Sequence, residues 1–282
     1  MKTVILDDWH HVYAGHPQVE RLKELGEAVI YHDRAESEDE LIDRLKDADF
    51  VIPIRERSKF TKKVIESLPN LKLIAQTGTG TAHIDMEAAR ERNVPVAVTP
   101  GGSTDAVAEL TFALMLACFK RIPYAQEKMK QGEWPPIIGG ELKNKKLGII
   151  GLGKIGTEVA NRAKAFKMEV CAWGPTLTPE RAAKAGVQHL PLRELLKASD
   201  VVSLHVRLVP ETTHLFRKEH FQLMKPSSIL INTARGKVVR EADLIWALEQ
   251  KEIGGAGLDV FAQEPLDPSS PLLHMDNVVV TP

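Results

Sequence analysis

Short apolar runs alternate with stretches of helical spacing along the whole chain. In the first hundred residues "TVILDD", "EAVIYHD", "DFVIPIR", "LKLIAQT" and "VPVAV" read as strands. Between them lie four amphipathic stretches. "HPQVERLKEL" sets Val19, Leu22 and Leu25 on one helical face, and "EDELIDRLKDA" turns Leu41, Ile42 and Leu45 inward. "TKKVIESL" starts from Thr61, a suitable N-cap, and "MEAARERN" is the fourth. Residues 104–121 form a long helix that is apolar nearly all round, which predicts burial between two layers or two subunits. "GEWPPIIGG" reads as a loop. Alternation then resumes: strands at "KLGIIG", "MEVCAW", "DVVSLHV", "SSILINTA", "GGAGLDV" and "NVVVTP", helices at 155–166, "LRELLKA" and "EADLIWALEQ". The pattern predicts an α/β protein with two parallel-sheet units, residues 1–100 and 101–282.

Composition narrows the function classes. With 43% hydrophobic residues the 282-residue chain can bury a sizeable core, yet it has no apolar run long enough to span a bilayer. Asp7 and Asp8 arrive too early for a secretory signal. The 37 basic and 38 acidic residues nearly cancel, which argues against nucleic acid or an anionic membrane as the main partner. Cys118 and Cys171 sit in apolar surroundings without metal or redox spacing, so they read as buried thiols in a reducing, cytoplasmic compartment. His10-His11 has no nearby Cys or His to complete a metal site, and no metal is expected.

The sharpest motif is "GLGKIG", Gly151 to Gly156, between a predicted strand and a predicted helix. Gly151 permits the tight turn, Gly153 lets backbone approach a pyrophosphate, and Gly156 lets helix pack on strand; Lys154 and Ile155 open the helix. The helix N-terminus offers unpaired N–H groups to phosphates. The second half of the fingerprint departs from expectation. The ribose-binding acid should stand near Gly174, and no Asp or Glu follows until Glu180. A neutral Gly174, with Thr176 and Arg181 nearby, leaves NAD and NADP both open, the balance toward NADP.

With the glycine turn this far along the chain, the layout resembles the D-isomer-specific 2-hydroxyacid dehydrogenases, the family of phosphoglycerate dehydrogenase. "LPNLKLIAQTGTGTAHID", "TPGGSTDAVAELTFALMLA", "LINTARGKVV", "GLDVFAQEPL" and "VVVTP" carry the resemblance, in order and over essentially the whole chain. It implies a cofactor domain and a flavodoxin-like substrate domain with a cleft between them. It implies hydride transfer between NAD or NADP and C2 of a small 2-hydroxy or 2-oxo acid, in a homodimer that buries 104–121. Arg235 would grip the oxoacid with a fixed guanidinium fork; without context it is a solvated arginine at a strand end. Asn232, Thr233, Ala234 and Asp259 would line the nicotinamide. Glu264, on its own an ordinary loop carboxylate, would orient an acid/base histidine and raise its pKa.

The amides of "TGTG", Gly78, Thr79 and Gly80, would receive the substrate carboxylate, with Thr79 also reaching the cofactor. Arg57 is a second carboxylate partner, and Arg55 is its rival. Two departures stand out: Ala82-His83 replace the usual Asp-Asn, with His83 reading as structural, and Val206-Arg207 replace Thr-Pro beside the cofactor. Arg207 then faces cofactor or solvent. The family's histidine follows directly after a "TP" like Thr281-Pro282, where this sequence stops. The expectation is a fragment of a longer product, which alone binds cofactor poorly to moderately and turns over slowly. His274 and His205 are poorly placed to substitute. The alternative is a nucleotide-binding module without catalysis, as in corepressors on the same fold.

Overall fold

A computed structural model describes residues 1–282, which divide into two units, Met1–Gly102 and Ser103–Pro282. The first unit holds strands β1 (Lys2–Leu6), β2 (Glu27–Ile30), β3 (Phe50–Pro53), β4 (Leu73–Gln76) and β5 (Val96–Val98). Its helices are α1 (Pro17–Leu25), α2 (Glu38–Leu45), α3 (Lys62–Glu66) and α4 (Met86–Glu91). All strand pairs are parallel, in the order β2-β1-β3-β4-β5. That is the flavodoxin-like order, with its switch point between β1 and β3.

The second unit opens with α5 (Thr104–Lys120) and α6 (Ile122–Lys130). It continues with β6 (Lys146–Ile150), α7 (Lys154–Ala165), β7 (Glu169–Trp173), α8 (Pro179–Lys184), β8 (Gln188–His189), α9 (Leu192–Ala198) and β9 (Val201–Leu204). The remainder is α10 (Lys218–Phe221), β10 (Ile229–Asn232), α11 (Glu241–Glu249), β11 (Gly255–Leu258) and β12 (Val278–Val280). Seven parallel strands run β12-β11-β10-β9-β6-β7-β8, a Rossmann order extended by β12. Separate apolar clusters cover its two faces, which is why β9, β10 and β11 are buried at every position.

Local chemistry sets the helix ends. Thr61 accepts the Val64 N–H as N-cap of α3, and Asp85 accepts Glu87 and Ala88 N–H at the start of α4. Arg121 adopts a left-handed φ of 52°, which ends α5, and Pro123 opens α6. Periodicity alone did not separate α6 from its surroundings. One expectation needs correction. Leu25 is 64% exposed, because α1 buries only Val19 fully. Within the single chain, α5 buries Ala108, Thr111, Phe112, Leu114 and Met115, whereas Ala113 faces out.

Both units start their sheets with the same device. Asp49, just before β3, accepts the Lys2 N–H at 2.8 Å and the Lys72 ammonium at 2.6 Å. Asp200, just before β9, accepts the Lys146 N–H at 2.8 Å and the Lys225 ammonium at 2.9 Å. Each carboxylate pins the first residue of one strand, Lys2 of β1 or Lys146 of β6, to the start of its neighbour, β3 or β9. Burial works to raise the Asp200 pKa, but the Lys146 N–H and Lys225 outweigh it, and the carboxyl sits below its ordinary range. A lowered folded-state pKa stabilises the fold above the unfolded carboxyl value, near 3.9, and that contribution is lost as pH falls through the folded value. Asp200→Ala is therefore expected to cost about 1–2 kcal/mol at neutral pH. Urea melts of both proteins should show the gap closing below about pH 4; a pH-independent gap would contradict the assignment.

Candidate active site

The glycine turn lies at the switch point of the second sheet. Gly151 has φ +101°, and its N–H donates to Trp173 O at 2.7 Å. A Cβ there would stand 2.8 Å from the His205 carbonyl carbon and the Val206 nitrogen, so only glycine fits between β6 and the chain leaving β9. Gly156 is buried, and a Cβ on it would overlap the Gly151 carbonyl. Gly153 is different: it is the N-cap of α7, its Cβ position is open, and no side chain caps the helix. The first N–H groups of a twelve-residue helix thus face an open cradle, which fits a pyrophosphate. Lys154 is exposed beside it, and Ile155 is half-buried against the core. A cleft of about 530 Å³ at this turn is lined by Gly153, Lys154, Thr157 and Arg181 among others.

The turn after β7 carries positive charge. Gly174 follows β7 with room for a small side chain, its Cβ position 3.5 Å from Leu177 Cβ. Arg181 Nη1 donates to Thr176 O at 2.8 Å, and Thr178 caps α8 through the Arg181 N–H. A guanidinium therefore occupies the region where the fingerprint expects a carboxylate. The nearest acid of the cleft lining, Glu158, pairs with Arg162 at 2.9 Å.

Adjacent strand ends β9 to β12 gather the other candidates. Val206 is buried and Arg207 exposed. Burial pushes the His205 pKa down to about 4, and its Nε2 shares a 2.8 Å hydrogen bond with Ser203 Oγ. A neutral, internally bonded imidazole is a structural group. Asn232 is 1% exposed, and its side chain spans the following turn: Oδ1 accepts the Ala234 N–H, and Nδ2 donates to Arg235 O. Thr233 is also buried, its hydroxyl 3.1 Å from that of Thr111 on α5. Thr111 donates its only hydroxyl proton to Val107 O at 2.8 Å, so Thr233 is the donor between them. Asn232 and Thr233 thus offer backbone rather than side chain outward. Arg235 is exposed, with Nη1 on Ala234 O at 2.7 Å. One strand over, Asp259 receives the Thr281 hydroxyl at 2.7 Å. Glu264 accepts the Phe261 N–H at 3.1 Å. Sequence reasoning missed Thr111, although a threonine inside an apolar helix is a visible signal.

In the first unit, parallel pairing brings Ile54 against Thr77, so the segments after β3 and β4 leave side by side. The structure separates the two arginines. Arg57 Nη1 donates to Asp7 O at 2.7 Å, and its guanidinium lies 4.0 Å from the centre of the Trp9 ring. Arg55 is exposed at φ 59°, its N–H bonded to Thr77 Oγ1. Gly78 has φ +104° with open space at its Cβ position, and Thr79 is exposed. At Gly80 a Cβ would overlap the Glu56 carboxylate. Asp7 is 1% exposed, and burial raises its pKa. His83 packs edge-on to Phe60, with both ring nitrogens buried and without hydrogen bonds. No group of three or more His, Cys, Asp or Glu is placed to hold a metal ion.

Known proteins share this arrangement. Residues 112–282 match the NAD binding domain of the D-isomer specific 2-hydroxyacid dehydrogenases. D-3-phosphoglycerate dehydrogenase of Methanocaldococcus jannaschii is 40% identical over the whole chain, which spans 53% of that protein. Glyoxylate reductase of Korarchaeum cryptofilum is 38% identical over 93% of this chain and 81% of its own length. The crystal structure of a phosphoglycerate oxidoreductase from Vibrio cholerae O395 superposes with a TM-score of 0.90 at 34% identity, covering 100% of this chain and 91% of that one. The chain thus spans about half the length of the archaeal phosphoglycerate dehydrogenase it matches. The match over residues 112–282 and relatives 38–40% identical show that the chain belongs to the D-isomer-specific 2-hydroxyacid dehydrogenase family.

Proposed function

We propose that the protein is an NAD(P)-dependent oxidoreductase that moves a hydride between nicotinamide and C2 of a small D-2-hydroxy or 2-oxo acid. The observation that carries this is the uncapped N-terminus of α7 behind the open Gly153, at the crest that also bears Arg235. Bound there, the dinucleotide supplies the hydride. The chain supplies the rest. Gly151, Gly153 and Gly156 admit the pyrophosphate, and Thr233, Ala234, Val206 and Asp259 border the nicotinamide. Arg235 holds the substrate carboxylate and carbonyl oxygen, and draws charge from the carbonyl as hydride arrives. Gly78, Thr79 and Gly80, with Arg57, secure the carboxylate in the first unit. Glu264 orients the acid/base imidazole that the family places after a Thr-Pro pair.

Three observations refine the proposal. Arg181 beside a neutral Gly174 favours NADP, since a guanidinium pairs with a 2′-phosphate and a carboxylate there would repel one. Both cysteines are unpaired and burial pushes Cys118 up to about 12, which suits a reducing cytoplasm. Trp134 and Ile138 are 85% and 99% exposed beyond α6, which supports a homodimer that covers them. A binding module without turnover has no need of Arg235 and Glu264 together, and the relatives are named as dehydrogenases and reductases.

In the full-length protein, Arg235→Gln should lower kcat/KM for 2-oxo acids about 10²–10³-fold while the NADPH Kd moves less than about threefold. Unchanged turnover would overturn the assignment. Arg181→Ala should weaken NADPH about tenfold and leave NADH nearly unchanged by fluorescence titration. Equal losses for both cofactors would remove the basis for the NADP preference. Trp134→Ser with Ile138→Ser should shift sedimentation from dimer toward monomer; a persisting dimer would place the interface elsewhere.

A further inference from the structure

Glu158 stands just over one helical turn beyond the open start of α7, between two basic neighbours on the same face. Lys154 lies four residues before it and Arg162 four residues after it. Lys154 is exposed beside the Gly153 cradle, and Glu158 is the only acid lining that cleft. A carboxylate drawn back to Lys154 would sit near the helix N-terminus, where the positive end of the dipole also favours it. It would then compete with a phosphate for the same lysine and the same N–H groups.

The structure sends this carboxylate the other way. Arg162 Nη1 donates to Glu158 Oε2 at 2.9 Å, and Asn161 Nδ2 donates to Oε1 at 3.4 Å. Both partners lie toward the C-terminus, and four residues of helix amount to about 6 Å along the axis. Arg162 is itself held from a second helix: its Nη2 donates to Asp105 Oδ1 at 2.7 Å, in the first turn of α5. The Arg162 side chain is only 26% exposed, so this chain of charges is less screened than a fully solvated pair. Order along the helix adds to the bias, because Glu followed by a basic residue four positions later is the favourable arrangement and Lys before Glu the weaker one.

We infer that Arg162 is a positioning residue for cofactor binding. Fixed by Asp105, it draws the Glu158 carboxylate away from the start of α7 and leaves Lys154 and the first N–H groups of the helix to the dinucleotide pyrophosphate. It acts through Glu158 rather than by contact with a phosphate. This rests on the reading that the pyrophosphate lies at Gly153 and Lys154. The pyrophosphate is common to both nicotinamide dinucleotides, so the effect bears on NADH and NADPH alike, unlike that of Arg181.

The test is fluorescence titration of NADH and of NADPH into the full-length wild type and its variants, with thermal melts of the unliganded proteins alongside. Arg162→Gln should raise both Kd values about three- to tenfold, and the loss should shrink at high salt. Adding Glu158→Gln to Arg162→Gln should bring both cofactors back to within about twofold of wild type, because the misdirected charge is gone. Lys154→Ala should weaken both cofactors by itself, and adding Arg162→Gln to it should cost little more. A merely structural arginine would give a lowered melting temperature in the single and double variants with no recovery of affinity. Unchanged Kd values in Arg162→Gln, no recovery with Glu158→Gln, or a loss confined to NADPH would each overturn the inference and leave the dehydrogenase reading standing. A wild type that binds neither cofactor removes the dinucleotide reading itself, and the inference falls with it.

Discussion

Everything functional in this chain depends on strands that all run the same way within each sheet. A parallel ladder forces every connection to cross back over the sheet, so the outgoing ends of all strands collect on one crest. Neighbouring strands then deliver their next residues side by side. Gly151 meets the His205–Val206 peptide because β6 pairs with β9. Asp259 meets Thr281 because β11 pairs with β12, and Glu56 meets Gly80 because β3 pairs with β4. Strand register brings these segments together, and turn residues with positive φ, Gly151, Arg55 and Gly78, complete the approach.

Much of this was legible in the residues. The period of two or of 3.6 located the long strands and helices, and the three glycines marked positions whose steric reasons differ. The structure assigns those reasons separately: Gly151 and Gly156 exclude a side chain by contact, whereas Gly153 leaves space. Periodicity does not show α6, α8, β8 or α10: α6 has no fully buried residue, and the others span six, two and four residues.

Site chemistry was legible by type but not by partner. A sequence shows Arg55 and Arg57 as equals, two residues apart. Only the fold distinguishes the one that lies on Trp9 and the Asp7 carbonyl from the one that turns into left-handed backbone. Asn232 and Thr233 are legible as candidates to line a cofactor; only the fold shows that their side chains also fasten the backbone around Arg235. Glu56, an acid between two arginines, reads in the sequence as part of a solvated charge pattern. Its meaning comes from Gly80, twenty-four residues later, which has no side chain to keep it away.

The paired aspartates Asp49 and Asp200 sit at the incoming ends of the strands, a full strand length from the crest. Anchorage and chemistry are housed at opposite ends of the same elements. Loops at the crest can therefore be exchanged in evolution while the sheet keeps its alignment from below. A family built on this division of labour can diversify its substrates rapidly without having to reinvent its scaffold.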